Sequence, residues 1–442
     1  MKIQLSDHFN YGKLLRFTLP SIIMMIFTSV YSMVDGLFIS NFVGITPFAA
    51  INLIFPFIQI LGCVGFMFGT GGSALVSATL GAKDSARANR AFSMLTYAAL
   101  VSGVVIAVLG ITFIEPIAIW MGADSDMLPY CVIYGRIILL VLPAFMLQIL
   151  FQSFLVTAEK PTLGLAVTVM AGVTNIILDT LFVAVFQWGI VGAAVATALS
   201  QCVGGIIPLV YFCCPNSSLL RLGKTRFEGR VLLSSCANGL SELVTNISMS
   251  VVSILYNFQL MRFAGEMGVA AYGAVMYVSF IFVAVFLGYS IGAAPVIGYH
   301  YGAQDHIELK GLLRKSNVIV TVASLLLAAV AFLLAAPLAR LFVGDAPTLL
   351  EMTVTAFRFY AVSVLFSGFS IFGSAFFTAL NNGFVSAAIS FLRTLVFQIA
   401  AVLILPIFFD LNGVWYSLFV AEILAMLVTF LFYRAKRSTY HY

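Results

Sequence analysis

Four acids stand inside runs of apolar residues: Asp35, Asp179, Glu242 and Glu422. An ionisable group in hydrocarbon costs about 2.5–3.5 kcal/mol on insertion scales, so each needs a reason to be there. Asp35 lies in Tyr31-Ser32-Met33-Val34-Asp35-Gly36. Asp179 follows Asn175 by one helical turn and so shares its face. Thr197 stands in the next apolar run and Gln152 near the end of an earlier one. Two carboxylates brought together where water is scarce repel each other and lack solvation, and a shared proton relieves both. With the oxygens of Asn175 and Thr197, the same pair would equally hold Na⁺. The residue types leave H⁺ and Na⁺ both open.

The elements that position these groups must be membrane helices. The chain is 62% hydrophobic and 9% charged, whereas a soluble domain carries about 25% charged residues. Apolar runs of roughly 20 residues, long enough to cross about 30 Å of hydrocarbon, recur along the whole length. About twelve are predicted, near 14–42, 47–80, 91–114, 127–157, 161–186, 190–213, 230–263, 268–300, 316–340, 349–380, 384–408 and 412–434. The expected fold is an all-α integral membrane protein, with no intervening stretch long enough for a soluble domain. A cleavable signal peptide is not expected, because Met1 to Lys13 is polar and the first apolar run is too long.

Charge placement orients the helices. Lys2, Lys13, Arg16, Lys83, Arg87, Arg90, Lys160, Arg221, Lys224, Arg226, Arg230, Lys310, Arg314, Lys315, Arg434, Lys436 and Arg437 fall at the two termini or in alternate loops. The loops between carry Asp124, Asp126, Glu266 and Asp410. This asymmetry predicts both termini in the cytoplasm and an even number of helices in a plasma (inner) membrane. The six cysteines lie in or beside apolar runs without metal-ligand spacing, and are expected to be free thiols.

Laid onto its own second half, the chain repeats. Phe42-Val43-Gly44 meets Phe263-Ala264-Gly265, Ala49-Ala50 meets Ala270-Ala271, and Gly81-Ala82-Lys83-Asp84 meets Gly302-Ala303-Gln304-Asp305. With slight slippage, Arg136 meets Arg358 and Gly192 meets Gly413. The expected organisation is two pseudo-symmetric six-helix lobes, 1–213 and 230–442, joined by a basic loop at 214–229. Repeats of this kind suit transporters in which one bundle rocks against the other. The positions matching Asp35, Asn175, Asp179 and Thr197 are Tyr256, Phe397, Ala401 and Leu418. This polar cluster is therefore expected in one lobe only, as befits a task done once per molecule.

At this point the chain resembles the multidrug and toxic compound extrusion (MATE) family over essentially its whole length. The resemblance rests on Pro20, Tyr31 and Asp35 in the first helix, Tyr134 in the fourth, Asn175 and Asp179 in the fifth, and Thr197 in the sixth. It implies that Asp35, Asn175, Asp179 and Thr197 form an N-lobe cation site, and that Pro20 lets the first helix bend as occupancy changes. It also implies substrate-side or supporting roles for Tyr31, Tyr134, Gln152 (where some members carry Asn) and Glu242. Glu242 is similar to an acid of a C-lobe cation site, but the usual acidic partner on the tenth helix is missing, so contact with substrate and exposure to water near a helix end are both open alternatives.

The expected activity is secondary export of drugs and organic cations by antiport against H⁺ or Na⁺. The expected partners are small cationic or amphiphilic molecules and membrane lipid, with no nucleic acid, no cofactor and no enzymatic step, in a monomer. Two alternatives remain. A lipid-linked oligosaccharide flippase should line its cleft with Arg and Lys, whereas the deep N-lobe residues are acidic. A major facilitator transporter usually carries a basic signature after helix two, of which Gly81 to Arg87 gives a partial echo. Arg393 is expected to pair with Glu242 or Glu422. Glu422 has no identifiable partner, and His300 is expected at the interface. Arg136 and Arg358 are expected to be structural.

Overall fold

In a computed structural model, residues 3–344 and 346–442 are described, and they are helical with no strand among them. Lys2, counted above among the basic residues, lies outside them. The first half contains α1 (Tyr11–Phe42), α2 (Ile45–Phe66), α3 (Gly72–Gly81), α4 (Ser85–Trp120), α5 (Leu128–Leu140), α6 (Leu142–Thr157), α7 (Pro161–Asp179) and α8 (Gly189–Cys213). The second contains α9 (Gly229–Asn238), α10 (Leu240–Gly302), α11 (His306–Leu333), α12 (Ala335–Val343), α13 (Pro347–Ala379), α14 (Gly383–Phe391) and α15 (Phe397–Tyr440). Three π-helical turns, Met67–Gly71, Thr180–Val185 and Leu392–Val396, interrupt otherwise continuous spans.

Among the described residues, nine helical stretches are long and apolar enough to span, and the α5–α6 pair, bent by 56°, makes a tenth. Two of the nine double back. At 63 residues α10 would be roughly three membrane thicknesses long if straight. It reverses at Gly265, whose φ is 61°, and Tyr256 then stacks on Tyr272 with centroids 5.0 Å apart. The 383–440 stretch reverses at Asp410, so Gln398 and Ser417 both bond the Tyr256 hydroxyl. The count becomes twelve. Observed spans run longer than the apolar runs where polar caps extend them: Asp84 accepts from Arg87 N and starts α4, and Asp305 accepts from Glu308 N and starts α11. The predicted 316–340 helix is two pieces, α11 and α12.

The duplication is visible in the turns. Left-handed φ values recur in pairs at matching places in the two halves: Gly44 with Gly265, Lys83 with Gln304, Gly122 with Gly344, Glu159 with Asn381, and Gln187 with Asp410. Two glycines lie on the pseudo-two-fold axis itself. A Cβ on Gly81 would overlap the Tyr299 carbonyl, and one on Gly302 would overlap the Ala78 carbonyl. Each half thus presents the same patch to the other, as in an isologous interface. Further along the seam, a Cβ on Gly288 would lie 2.5 Å from Ile22 Cα, and one on Gly292 would lie 2.9 Å from Thr18 Cα. Small residues one turn apart let α1 and the second leg of α10 touch backbone to backbone.

A short N-terminal strap covers this seam. Leu5 and Phe9 are completely buried. Leu5 N donates to Glu159 Oε1 in the first half (2.7 Å), and Phe9 N donates to Glu308 Oε1 in the second (2.9 Å). His8 pairs with Glu308 Oε2 at 2.6 Å, and Lys315 donates to the Phe9 carbonyl. The C-terminal residues pack nearby, Tyr440 against Tyr301 and Asn382. The lobes are therefore sealed at the end that bears both termini. His300 belongs to this seal: it is 4% exposed, with Phe9 edge-on to its ring, rather than at an interface.

Candidate functional site

α1 and α7 cross closely because Gly172 has no side chain. A Cβ there would meet Phe27 at 2.5 Å and Tyr31 at 2.9 Å. Gly172, Asn175 and Asp179 form one stripe of α7 at i, i+3 and i+7, and that stripe faces α1. Regular helix ends at Asp179, where the π-helical turn begins; such turns often mark functional positions. α8 is held against α7 by Ser200 Oγ donating to the Ala171 carbonyl (2.8 Å). Gly192, whose Cβ would lie 3.0 Å from the Phe182 carbonyl, lets α8 start beside the π turn.

These elements bring Asp35, Asn175 and Asp179 together, with Tyr134 and Tyr31 in the electrostatic field of the acids. Asp179 is fully buried and Asn175 is 2% exposed. Asp35 and Asp179 lie close enough to feel each other. Asp35 Oδ1, both Asp179 oxygens, both polar atoms of the Asn175 amide and Thr197 Oγ1 are buried without partners. Buried polar atoms in folded proteins are overwhelmingly hydrogen-bonded. The two carboxylates and the Asn175 amide lie together, and Thr197 Oγ1 is a further buried oxygen without a partner.

The C-lobe makes the opposite arrangement at the matching helices. There the Tyr256 hydroxyl bonds Gln398 Oε1 and Ser417 Oγ, both at 2.8 Å. The linear match placed Phe397 and Leu418 opposite Asn175 and Thr197, but their neighbours Gln398 and Ser417 fill the place. The expectation that only one half carries polar groups there is corrected: both do, and the C-lobe set is neutral and satisfied.

A second feature lies on the seam. A cavity of about 120 Å³, partly open to solvent, is walled by Met25, Phe66 and Thr70 from the first half and by Glu242, Ser290, Ser374 and Arg393 among others from the second. The Glu242 carboxyl has no hydrogen bond or ion pair among the described residues. Arg393 pairs with Glu422, not Glu242: Nε lies 2.9 Å from Oε2 and 3.2 Å from Oε1. The expectation that Glu422 lacks a partner is thereby corrected. Its partner lies on a separate leg of the helical hairpin, which linear spacing does not reveal.

The remaining predicted residues fall as follows. Gln152 lines a separate narrow crevice with Gln148, Thr168, Gly204 and Pro208. It is Gln148, one turn earlier, that faces Tyr31. Pro20 sits in an unbroken α1 beside the residues that touch Gly288 and Gly292. Arg136 and Arg358 are exposed, the latter over the Phe332 ring. Sequence reasoning passed over Gln148 and Gln201, although each lies one turn from a polar residue it had singled out, Gln152 and Thr197.

Twelve spans in two related lobes, with a buried polar site in one and a cavity on the seam, define a transporter of the internal-repeat type. The chain belongs to the MATE family: the MatE family model matches it twice, over residues 20–181 and 243–404. The multidrug export protein MepA of Staphylococcus haemolyticus is 26% identical over 96% of this chain and 94% of that relative. MepA of Staphylococcus saprophyticus is 25% identical, over 95% and 93%. A crystal structure of a MATE protein in complex with MaL6 is similar with a TM-score of 0.93 at 24% identity, covering 98% of each chain.

Proposed function

We propose that this protein exports cationic and amphiphilic organic molecules by antiport, with Asp35, Asn175, Asp179 and Thr197 holding the coupling ion, H⁺ or Na⁺. The observation that carries the reading is the pair of buried carboxylates, Asp35 and Asp179, whose oxygens lie unpartnered beside Asn175 in the first half. Membership of a family whose matched relatives are named multidrug export proteins supports it. The seam cavity is the substrate site, with Glu242 as the anionic wall and Tyr31 and Tyr134 supporting the ion site. The lobes are 1–213 and 230–442, linked by 214–229. The basic loops support a reading with both termini in the cytoplasm of a plasma membrane, in which the sealed end is the inner one. The protein acts as a monomer and catalyses no covalent step.

Ion binding would favour one arrangement of α1 and substrate another, since coupling requires differential affinity for two states. A flippase for anionic headgroups calls for several basic residues in the cleft, whereas this cavity is lined by one Arg together with the acid Glu242.

The test is transport of a fluorescent cation in proteoliposomes under a pH gradient and, separately, a Na⁺ gradient. One gradient should drive it, and Asp35→Asn should abolish it. Gradient-driven transport surviving in well-folded Asp35→Asn would remove Asp35 from the mechanism. No transport under either gradient would sink the export reading.

A further inference from the structure

The Arg393–Glu422 pair is costly to keep where it stands. Its side chains are 16% and 9% exposed, at mid-span in a membrane helix. Buried ion pairs rarely stabilise a fold better than apolar residues of similar volume. A structural purpose alone therefore accounts poorly for this one. Its geometry points elsewhere. Both carboxylate oxygens of Glu422 are taken by Nε of Arg393, and Ser370 Oγ reaches Oε2 at 3.5 Å. Among the described residues, the hydrogen bonds of the guanidinium run from Nε alone. Its two terminal nitrogens are left without partners on a residue that lines the seam cavity. Arg393 also sits inside the π-helical turn Leu392–Val396, a local widening of the kind found at functional positions.

The same cavity carries the unpaired Glu242 carboxyl on another wall. Many of its hydroxyls have their protons committed: Thr70 donates to the Phe66 carbonyl, Ser73 to Thr70, Thr245 to Ser241 and Ser370 to Ser367. These offer oxygen acceptors, and Ser290, whose Oγ has no partner, adds one free hydroxyl. The cavity thus has one carboxylate, a ring of acceptors, and a single forked donor, Arg393, held ready by Glu422.

We propose that Arg393 is a specificity residue that receives a carboxylate, so that the seam cavity favours zwitterions, a cationic group toward Glu242 and a carboxylate toward Arg393, over plain cations of the same shape. This rests on the reading that the cavity is the substrate site. Phe66, Ile291 and Met25 supply the apolar surface against which a flat body would lie. Glu422 orients the fork by taking Nε, as partners of a functional side chain commonly do.

Rhodamine 110 and rhodamine 123 differ only by the methyl ester that removes the carboxylate of the first. Their binding to the purified full-length protein, followed by fluorescence anisotropy, is the test. The wild type should bind rhodamine 110 about tenfold tighter, a difference of about 1.4 kcal/mol. Arg393→Lys keeps the charge but loses the planar fork, and should bring the ratio of the two dyes' affinities to near one. Wild-type binding of rhodamine 123 as tight as rhodamine 110 overturns the proposal and leaves the export reading standing. An unchanged preference in folded Arg393→Lys overturns it equally. Because the wild-type ratio needs no variant, a misfolded Arg393→Lys does not block the decision. Binding of neither dye overturns the export reading and this proposal together.

Discussion

At the scale of single residues, the two lobes hold their deepest polar groups in opposite ways. Asp179 is buried with neither oxygen satisfied, while Tyr256, equally buried, bonds two side chains. Leaving a buried polar group unmet costs about 1–3 kcal/mol. Asp179→Asn, which removes an ionisable group from that place, should therefore hold or raise the melting temperature at neutral pH while abolishing ion-driven efflux. Tyr256→Phe should do the reverse. It strands Gln398 Oε1, while Ser417 keeps its bond to the Val414 carbonyl, lowering stability by about 1–3 kcal/mol and leaving transport within a few-fold of wild type. Thermal melts in detergent beside proteoliposome transport would separate the two. A destabilised but active Asp179→Asn would mean that the N-lobe cluster is structural. The acids themselves were legible in the chain, because an ionisable residue stands out against an apolar background. Their counterparts were not: Gln398 and Ser417 lie one residue from the aligned positions, and only the packing of the helices decides which neighbour turns inward. Arg393 and Glu422, far apart in sequence on opposite legs of a hairpin, were likewise visible as charges but not as a pair.

At the scale of elements, the seal depends on helices approaching more closely than any side chain permits. Gly81 and Gly302 press on each other's halves across the pseudo-two-fold axis. Adding a methyl group to either meets backbone, which cannot step aside, and overpacking of this kind costs about 1–3 kcal/mol. Gly81→Ala and Gly302→Ala should both open the terminus-bearing end, to similar extents because the contact is reciprocal. Thiol labelling of Ser77→Cys, a fully buried position on the seam beside Gly298, would report it: labelling should be faster in both backgrounds, and equal protection would refute the account. The strap adds a second clasp. Glu308→Gln keeps the size of the side chain but weakens its grip on His8 and on the Phe9 amide, so labelling at the same cysteine should rise about two- to tenfold if those charge-assisted bonds hold the strap. No change would leave Leu5 and Phe9 burial as the whole clasp. The twelve spans and the repeat could be read from hydropathy and matching loops, since lipid imposes both. The strap could not. Ile3 to Asn10 looks like an ordinary polar terminus until Leu5 and Phe9 are seen buried at the seam.

At the scale of the molecule, α1 belongs to both lobes, and this determines how ion and substrate can communicate. Its Asp35 stands beside Asn175 and Asp179 of α7 at the proposed ion site, its Met25 on the wall of the seam cavity, and its Thr18 and Ile22 against the second leg of α10. At 1.5 Å per residue these stations are spread over about 25 Å of one helix. Pro20 lies within the last of them. Lacking an amide proton, it leaves the Arg16 carbonyl without its helical bond, which makes this the softest point of α1. A bend there would move the outer part of α1 relative to the seal without unfolding either. Linkage then imposes a quantitative demand: the factor by which the ion changes dye affinity equals the factor by which the dye changes ion affinity, commonly about 5–150-fold. Rhodamine 123 affinity should shift by such a factor between ion-free and ion-saturated wild-type protein. In Pro20→Ala, where the restored bond stiffens α1, the factor should fall toward one while dye and ion each still bind alone. A variant that keeps the full factor would place the coupling in the lobes as rigid bodies, with α1 carried along as a passenger.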